Sequence, residues 1–283
     1  MKKECYFCHT RTVEKLIQKF NPSSETAEDF LRSINQLFGK EWETTNPYLA
    51  TKIHRLAKEK LNVADLYKEE KYNANKVLLD HYDQWKTLIT ESSNPFRTAA
   101  KLAVIGNVID YAAHSLNEDN LVGQIRQLTS EELAVDETEE LFARLQKADS
   151  VFYIGDNAGE IVFDKLFIET INHPNITFAV RGFPVINDIT LDDVKQTGID
   201  KLCKVISNGY DAPSTLLKHC SAEFMEAYNN ADIIIAKGQG NFEGLMDEKK
   251  ENLFFMLMAK CDPIAGMLGV TKGDMLVRKA VYN

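Results

Sequence analysis

The chain has 283 residues, of which 44% are hydrophobic and 27% are charged, and its formal net charge is −9. This composition is typical of a globular protein and excludes an intrinsically disordered chain. The negative charge argues against non-specific nucleic-acid binding, which needs a basic surface. The N-terminus lacks an apolar signal segment, and no stretch approaches the ~18 apolar residues of a transmembrane helix. We therefore expect a cytoplasmic protein that binds neither nucleic acid nor membrane.

At the start of the chain, two cysteines and a histidine form the motif Cys5-x-x-Cys8-His9. This spacing occurs in halves of zinc sites and in redox pairs. A structural zinc ion needs four ligands, and the sequence has no second pair of cysteines at this spacing. A second metal site at Cys5 and Cys8, a redox pair and incidental thiols near the chain end all remain open.

The region 1–148 has the pattern of an all-helical segment. It contains only three prolines, and its apolar residues recur at helical spacing. The spacing predicts one long helix over 63–90 and another over 96–115. Acidic residues follow Ser130 and Asp136, which is typical of helix N-termini. We expect helices to begin near both.

From residue 149 the pattern changes to short apolar runs that alternate with loops and helical segments. This alternation predicts an α/β region over 149–283 with a mainly parallel, doubly wound sheet. No linker rich in Pro, Gly or Ser separates it from the helical region, so the two can form one compact body. The predicted strands span 151–154, 176–180, 202–206, 232–236 and 252–258.

The first of these strands ends in the most informative motif of the chain. The apolar run 151–154 is followed by Gly155, and then by Asp156 and Asn157 side by side. Open α/β sheets bind ligands at the carboxyl ends of their strands, and a carboxylate beside a carboxamide suits a hard cation. Asp and Asn are also ordinary turn and helix-cap residues, so the motif alone leaves both interpretations open.

Two further strand ends carry polar residues of the same kind. Asp188 follows the second strand and is a candidate carboxylate ligand, with Arg181 as a candidate phosphate contact; a helix N-cap at Asn187 or Asp188 is the alternative. The fourth strand leads into Lys237-Gly238-Gln239-Gly240-Asn241, whose backbone N–H groups and lysine suit a phosphate, although a short Gly-x-Gly is often only a turn. Together the three strand ends favour metal-assisted phosphoryl chemistry.

These motifs carry a family resemblance that covers essentially the whole chain. Gly155–Glu160, Asn187-Asp188 and Lys237–Asn241 resemble, in this order, the motifs of the damage-control phosphatase family, long catalogued as domain of unknown function 89. Cys5-x-x-Cys8 and Gly106-Asn107-x-x-Asp110 are similar to its CxxC-bearing archaeal and bacterial subfamily. By themselves, the residues around Gly106 read as a small-residue helix contact.

The resemblance implies an α/β/α sandwich with a helical N-terminal region, and a divalent metal such as Mn²⁺, Co²⁺, Ni²⁺ or Mg²⁺. It also implies hydrolysis of small phosphorylated metabolites. It assigns the metal to Asp156, Asn157 and Asp188. For the mechanism we expect Asp156 or Asp188 to act also as base or nucleophile, and direct attack by water and a phospho-aspartate intermediate both remain open. The substrate would contact Glu160, Lys237, Gln239, Gly240, Asn241 and Lys260.

Lys260 stands where eukaryotic members carry the lysine of an Arg-Thr-x-Lys motif. Leu257-Met258 replaces the Arg-Thr part here, so the substrate is less well indicated than the metal. Two other functions fit the residues less well. One is a methyltransferase that uses S-adenosylmethionine, for which the turn at Gly155 has too few glycines. The other is a non-catalytic metal-binding protein centred on the cysteine pair.

Overall fold

A computed structural model of the protein describes residues 2–112 and 118–280, and the side chains in those ranges apart from 107–121. The first half of the chain forms a succession of helices, which are α1 (Lys3–Phe20), α2 (Ser24–Lys40), α3 (Asn46–Leu61), α4 (Lys68–Asp80), α5 (Tyr82–Thr90), α6 (Pro95–Ala112) and α7 (Glu118–Ser130).

The second half alternates strands and helices. The elements are β1 (Val135–Asp136), α8 (Thr138–Leu145), β2 (Val151–Ile154), α9 (Glu160–Ile171), β3 (Ile176–Val180), α10 (Leu191–Thr197), β4 (Lys204–Ser207), α11 (Ala222–Asn230), β5 (Ile233–Lys237), α12 (Gly238–Leu245), β6 (Leu253–Met258), α13 (Asp262–Leu268) and β7 (Met275–Lys279). Each of the five predicted strands is present, with ends that differ by at most two residues. Two strands were not predicted, β1 and β7.

The strands form one sheet in the order β1-β7-β6-β5-β2-β3-β4. The pairs from β6 to β4 are parallel, whereas β7 runs antiparallel to β6 and β1 runs parallel to β7. From the central β2 the chain moves to β3 and β4 on one side, and then returns to β5 on the other. The boundary between β2 and β5 is therefore a topological switch point, where α/β sheets bind ligands.

Helices cover both faces of the sheet, which confirms the predicted α/β class with a mainly parallel sheet. Alternate residues of β2 face opposite sides: Tyr153 joins the core formed with α6 and α9, and Phe152 joins the core formed with α11 to α13. The first of these cores includes residues of α6, so the two halves of the chain share a hydrophobic core. A third core joins α1, α2 and α3.

Two predictions about the helical half are wrong. The segment 63–90 forms two helices rather than one, because the chain breaks at His81. The buried indole of Trp85 donates to the Leu78 carbonyl at 3.2 Å, and this carbonyl would accept from residue 82 in a continuous helix. Ser130 ends a helix instead of starting one, since its hydroxyl donates back to the Gln127 carbonyl at 2.6 Å.

Two other predictions about the helical half, a helix start near Asp136 and a close helix contact at Gly106, are confirmed. The carboxylate of Asp136 accepts from the backbone and hydroxyl of Thr138, at the start of α8, as predicted. At Gly106, an added Cβ would lie 2.9 Å from the Cα of Glu160, so α6 and α9 pack closely there. The side chains of Asn107 and Asp110, and the predicted helix end at 113–115, lie outside the described residues. In the described ranges, no helix combines the length and apolar character that crossing a bilayer requires.

Candidate functional site

The loops after β2 and β3 bring Asp156, Asn157 and Asp188 together. Asn157 and Asp188 form an isolated antiparallel bridge. The Ile189 N–H donates to the Asp156 carbonyl at 2.9 Å, which joins the same two loops from the other side. All three polar side chains are buried. The three residues that sequence analysis named as metal ligands therefore occupy one place beside the switch point.

None of these residues is a helix cap. The helix that follows Asp188 begins at an N-cap threonine, Thr190, whose hydroxyl and Asp193 carboxylate form a capping box. The helix after Asn157 begins at Gly159, which adopts a φ of +78° that favours glycine. The cap interpretation of Asn187 and Asp188 is thus wrong, and the side chains of Asp156 and Asp188 are directed elsewhere.

The guanidinium of Arg181 lies between the two aspartates. Its Nε donates to Asp188 Oδ2 at 2.6 Å, and its Nη2 donates to Asp156 Oδ1 at 3.3 Å. Only 2% of the Arg181 side chain is exposed. Burial raises the pKa of Asp188 to about 7, although the attraction of Arg181 opposes this shift. Through these two hydrogen bonds, the buried Arg181 guanidinium holds the two carboxylates in place.

A second buried ion pair lies next to the first. Lys237 donates to Glu160 Oε1 at 2.5 Å, to Asp164 Oδ1 at 2.6 Å and to the Ala103 carbonyl at 2.7 Å. Tyr153 donates its hydroxyl to Asp164 at 2.6 Å. These contacts use all three N–H groups of an ammonium that has no exposed surface. The loop lysine that was expected to line the phosphate pocket is thus directed into the protein.

The two ion pairs form one network. The Asn157 amide donates to Asp156 Oδ2 at 2.8 Å and to Glu160 Oε2 at 3.4 Å, and so connects them. Burial raises the pKa of Glu160 to about 8, in spite of the attraction of Lys237. Burial also raises the pKa of Asp164. For Lys237, Asp164 and Glu160 outweigh the opposing effect of burial and raise the pKa of the ammonium.

The oxygen donors and the charge of this network fit a divalent cation. Four buried carboxylates, Asp156, Asp188, Glu160 and Asp164, face two buried cations, Arg181 and Lys237. When all six groups are ionised, the cluster carries two uncompensated negative charges, which is costly in a buried place. Among the described side chains, no three His, Cys, Asp or Glu residues form a ready-made metal site. Asp156, Asp188 and the Asn157 carboxamide are the ligand set that hard cations prefer.

The first turn of α12, which follows β5 directly where a glycine loop was expected, supplies the other side of the site. A Cβ added at Gly240 would lie 3.9 Å from Asp156 Oδ1, so the backbone of this turn approaches the carboxylate directly. The buried Asn241 amide donates to the carbonyls of Gly155, at 3.1 Å, and Lys237, at 2.7 Å. Asn241 thereby ties the ends of β2 and β5 together.

Gln239, in the first turn of α12, lies next to Lys260, which follows β6. The Gln239 side chain accepts from the Lys260 N–H at 2.8 Å and donates to Glu243 at 3.0 Å. Lys260 is partly exposed, and its ammonium forms no ion pair with the described residues. Of the predicted phosphate contacts, Gly240 and Lys260 keep groups available to a ligand, whereas Arg181, Lys237 and Asn241 use their side-chain donors within the protein.

Sequence analysis missed three polar residues of this site. Asp164 lies one turn after Glu160 on α9, so helical spacing could have placed both carboxylates on one face. Asn75, on α4, accepts from the Gly159 N–H at 2.6 Å and donates to Asp193 at 3.0 Å. Thr215 contacts Arg181 and Asn241. Asn75 and Thr215 reach the site only through tertiary packing, and no local motif marks them.

The cysteine pair lies in the first turns of α1. Cys5 is partly buried, Cys8 is exposed, and both are free thiols. Burial raises the pKa of Cys5, and the nearby Glu243, Cys261 and Cys8 raise it further. With no three-ligand group among the described side chains, the predicted second metal site remains a prediction.

Comparison with known proteins gives consistent relatives across the whole chain. The model of the damage-control phosphatase ARMT1-like domain matches residues 1–276. A damage-control phosphatase of Pyrococcus horikoshii is 35% identical, over 99% of this chain and 98% of that protein. A damage-control phosphatase of Archaeoglobus fulgidus is also 35% identical, over 82% of each chain.

A solved structure agrees with these matches. The crystal structure of a DUF89 family protein from Pyrococcus horikoshii superposes with a TM-score of 0.93, at 32% identity and over 99% of both chains. The match therefore includes the helical half, the sheet and the loops that carry the carboxylate network. This chain belongs to the damage-control phosphatase ARMT1-like family.

Proposed function

We propose that this protein is a metal-dependent phosphatase that hydrolyses small phosphorylated metabolites. The observation that carries the proposal is the buried network at the switch point, in which four carboxyl groups face two cationic side chains. Membership of a phosphatase family supports the same conclusion, and two relatives bear the name damage-control phosphatase. The acidic surroundings need a bound cation before an anionic phosphate can approach.

Asp156, Asn157 and Asp188 would hold the divalent cation, which when bound supplies Lewis acidity toward a phosphate oxygen. Mn²⁺, Co²⁺, Ni²⁺ and Mg²⁺ all accept this set of oxygen ligands. Arg181 keeps the two aspartates oriented by its hydrogen bonds to both. Asp156 or Asp188 is also the proposed base or nucleophile, because both carboxylates lie where the loops after β2 and β3 meet the first turn of α12.

The remaining residues orient the substrate and its developing charge. The backbone around Gly240 lies beside Asp156 and can direct N–H groups toward a phosphate. Gln239 holds the main chain at Lys260, and the Lys260 ammonium remains available for a substrate oxyanion. Lys237 does not face the substrate in this proposal. Its ammonium contacts Glu160 inside the protein and so fixes the position of that carboxyl group. Glu160 has no exposed surface, so its predicted contact with the substrate is not part of this proposal.

Hydrolysis of an aryl phosphate tests this proposal. We expect phosphate release with Mn²⁺ or Co²⁺ that a chelator abolishes, and at least about a hundredfold lower kcat in Asp156→Asn and Asp188→Asn. Asp192→Asn is the matched control, because this carboxylate is 90% exposed and lies only four residues from Asp188. Hydrolysis without added metal, or full activity in both site variants, would contradict the proposal.

The two other functions considered from the sequence gain no observation in their favour. The methyltransferase hypothesis gives the buried Asp188 no role, whereas the phosphatase proposal uses it. The hypothesis of a non-catalytic metal-binding protein rests on Cys5 and Cys8, which lack a described set of three ligands.

A further inference from the structure

The segment 208–216 is a loop between β4 and the short turn Leu217–His219, and more than half of its residues are buried. Connecting loops normally lie on the surface. Here Asn208, Asp211, Ala212, Ser214 and Thr215 are buried, and the last two have no exposed surface. The loop crosses the edge of the sheet at which the carboxylate network lies, so it forms part of the wall of the site.

Two glycines of α12, Gly240 and Gly244, allow the backbone of this loop to pack closely against the helix. A Cβ added at Gly240 would lie 2.3 Å from the Pro213 carbonyl oxygen, and one added at Gly244 would lie 2.3 Å from the Thr215 carbonyl oxygen. The Ser214 hydroxyl donates to the Gly240 carbonyl at 2.7 Å. Backbone contact of this kind leaves little freedom for the loop, and it fixes where the Thr215 side chain lies.

The hydroxyl of Thr215 joins two buried residues that hold the parts of the site together, Arg181 and Asn241. It donates to Asn241 Oδ1 at 2.8 Å and accepts from Arg181 Nη1 at 3.4 Å. The direction of the first bond is set, because the Asn241 amide nitrogen already donates to two carbonyls. One hydroxyl thus orients the carboxamide that ties β2 to β5 and the guanidinium that holds both aspartates.

We infer that Thr215 is a positioning residue for phosphate hydrolysis, and that it acts through Arg181 and Asn241 rather than on the substrate. This inference rests on the proposed function. Losing the hydroxyl would leave the Asn241 oxygen without a donor and would free one end of the guanidinium. Asp156, Asp188 and the Gly240 backbone would then lose their fixed relative positions, and small displacements of this kind lower turnover.

Thr215→Val and Thr215→Ser form a matched pair for the test. Valine keeps the shape and removes the hydroxyl, whereas serine keeps the hydroxyl and removes a methyl group. With Mn²⁺ and an aryl phosphate, we expect kcat to fall about tenfold or more in Thr215→Val and to stay within about threefold of wild type in Thr215→Ser. Melting temperatures of both variants are measured alongside. If Thr215→Val does not fold, Thr215→Ala replaces it.

A kcat in the hydroxyl-free variant that equals wild type would overturn the inference. Equal losses in both variants that follow their melting temperatures would also overturn it, because they would indicate a purely structural role. Wild-type protein without metal-dependent hydrolysis would instead refute the proposed function, so the two failures are distinguishable.

Discussion

The ammonium of Lys237 lies 2.5 Å from Glu160 Oε1, and neither side chain has any exposed surface. Lys237 is the last residue of β5, and Glu160 is the first residue of α9, so the pair joins the two sides of the switch point. A buried pair contributes little net stability when intact, but removing one partner leaves an uncompensated charge. Lys237, which the sequence associated with phosphate binding, is therefore a buried structural residue beneath the proposed metal ligands.

Replacing Lys237 should chiefly affect folding. We expect Lys237→Met to lower the free energy of unfolding by about 3–5 kcal/mol, because Glu160 and Asp164 would lose their common counterion. Lys260→Met is the matched control: we expect it to change this free energy by less than about 0.5 kcal/mol and to lower kcat/KM. Urea unfolding and aryl phosphate hydrolysis measure both effects. Wild-type stability in Lys237→Met, together with loss of activity, would show that this lysine acts on the substrate.

Asn75 should link the helical half of the chain to the loop at Asp156. Its side chain accepts from the Gly159 N–H and donates to Asp193. We expect Asn75→Ala to lower the free energy of unfolding by about 1–3 kcal/mol, since buried hydrogen-bonding groups lose their partners. Because the same loop carries Asp156 and Asn157, Mn²⁺ affinity should fall as well. Asn73→Ala, an exposed change on the same helix, should leave both unchanged; an equal effect would contradict this role.

The contribution of His54 to the free energy of unfolding should fall in mildly acidic solution. The Nδ1–H of this buried histidine donates to the Ala50 carbonyl at 2.8 Å, and burial lowers the pKa of the imidazole from 6.5 to about 4. As the pH falls, the unfolded chain binds the proton first, so stability is lost progressively between pH 6.5 and 4. The loss should reach about 3 kcal/mol. Urea unfolding measures the free energy of unfolding at pH 7 and at pH 4.5. On acidification this free energy should fall less, or rise more, in His54→Gln than in wild type. An equal change in the two proteins would contradict the prediction.

Metal content should depend on the aspartates and not on the cysteines. We expect about one divalent cation per chain after loading with Mn²⁺ and desalting, because one carboxylate network carries the uncompensated charge. Cys5→Ser should retain this content, and Asp156→Asn should lose it. Elemental analysis measures both variants. Loss of metal from Cys5→Ser would instead support a site at the cysteine pair.

Much of the fold follows from local pattern, and the exceptions have physical causes. The strands β2, β3, β5 and β6 are almost entirely apolar, with only Thr177 in β3 and Lys237 at the end of β5 as exceptions, which is typical of buried parallel strands. The last strand, β7, ends in Arg278-Lys279 and pairs antiparallel at the side of the parallel strands, so its pattern is weaker. The helix over 63–90 was overestimated because apolar spacing does not reveal the Trp85 indole that takes the Leu78 carbonyl.

The site was partly predictable for the same reason. Asp156, Asn157 and Asp188 follow neighbouring parallel strands, whose ends necessarily meet at one edge of the sheet. Strand alternation could also have placed Lys237 correctly, because it shares a face of β5 with Ile233 and Ile235, which pack in the core formed with α6 and α9. Asn75 and Thr215 could not be found this way, since tertiary packing alone brings them to the loops.

The proposed metal site can be tested by calorimetric titration of Mn²⁺ into chelator-treated wild type and Asp188→Asn. Asparagine keeps the size of the side chain and removes its charge, while Asp156 remains as a buried partner of Arg181. We expect one binding event in wild type and an affinity at least about a hundredfold weaker in the variant, with loss of hydrolysis in parallel. Equal Mn²⁺ affinity in the two proteins would contradict this expectation.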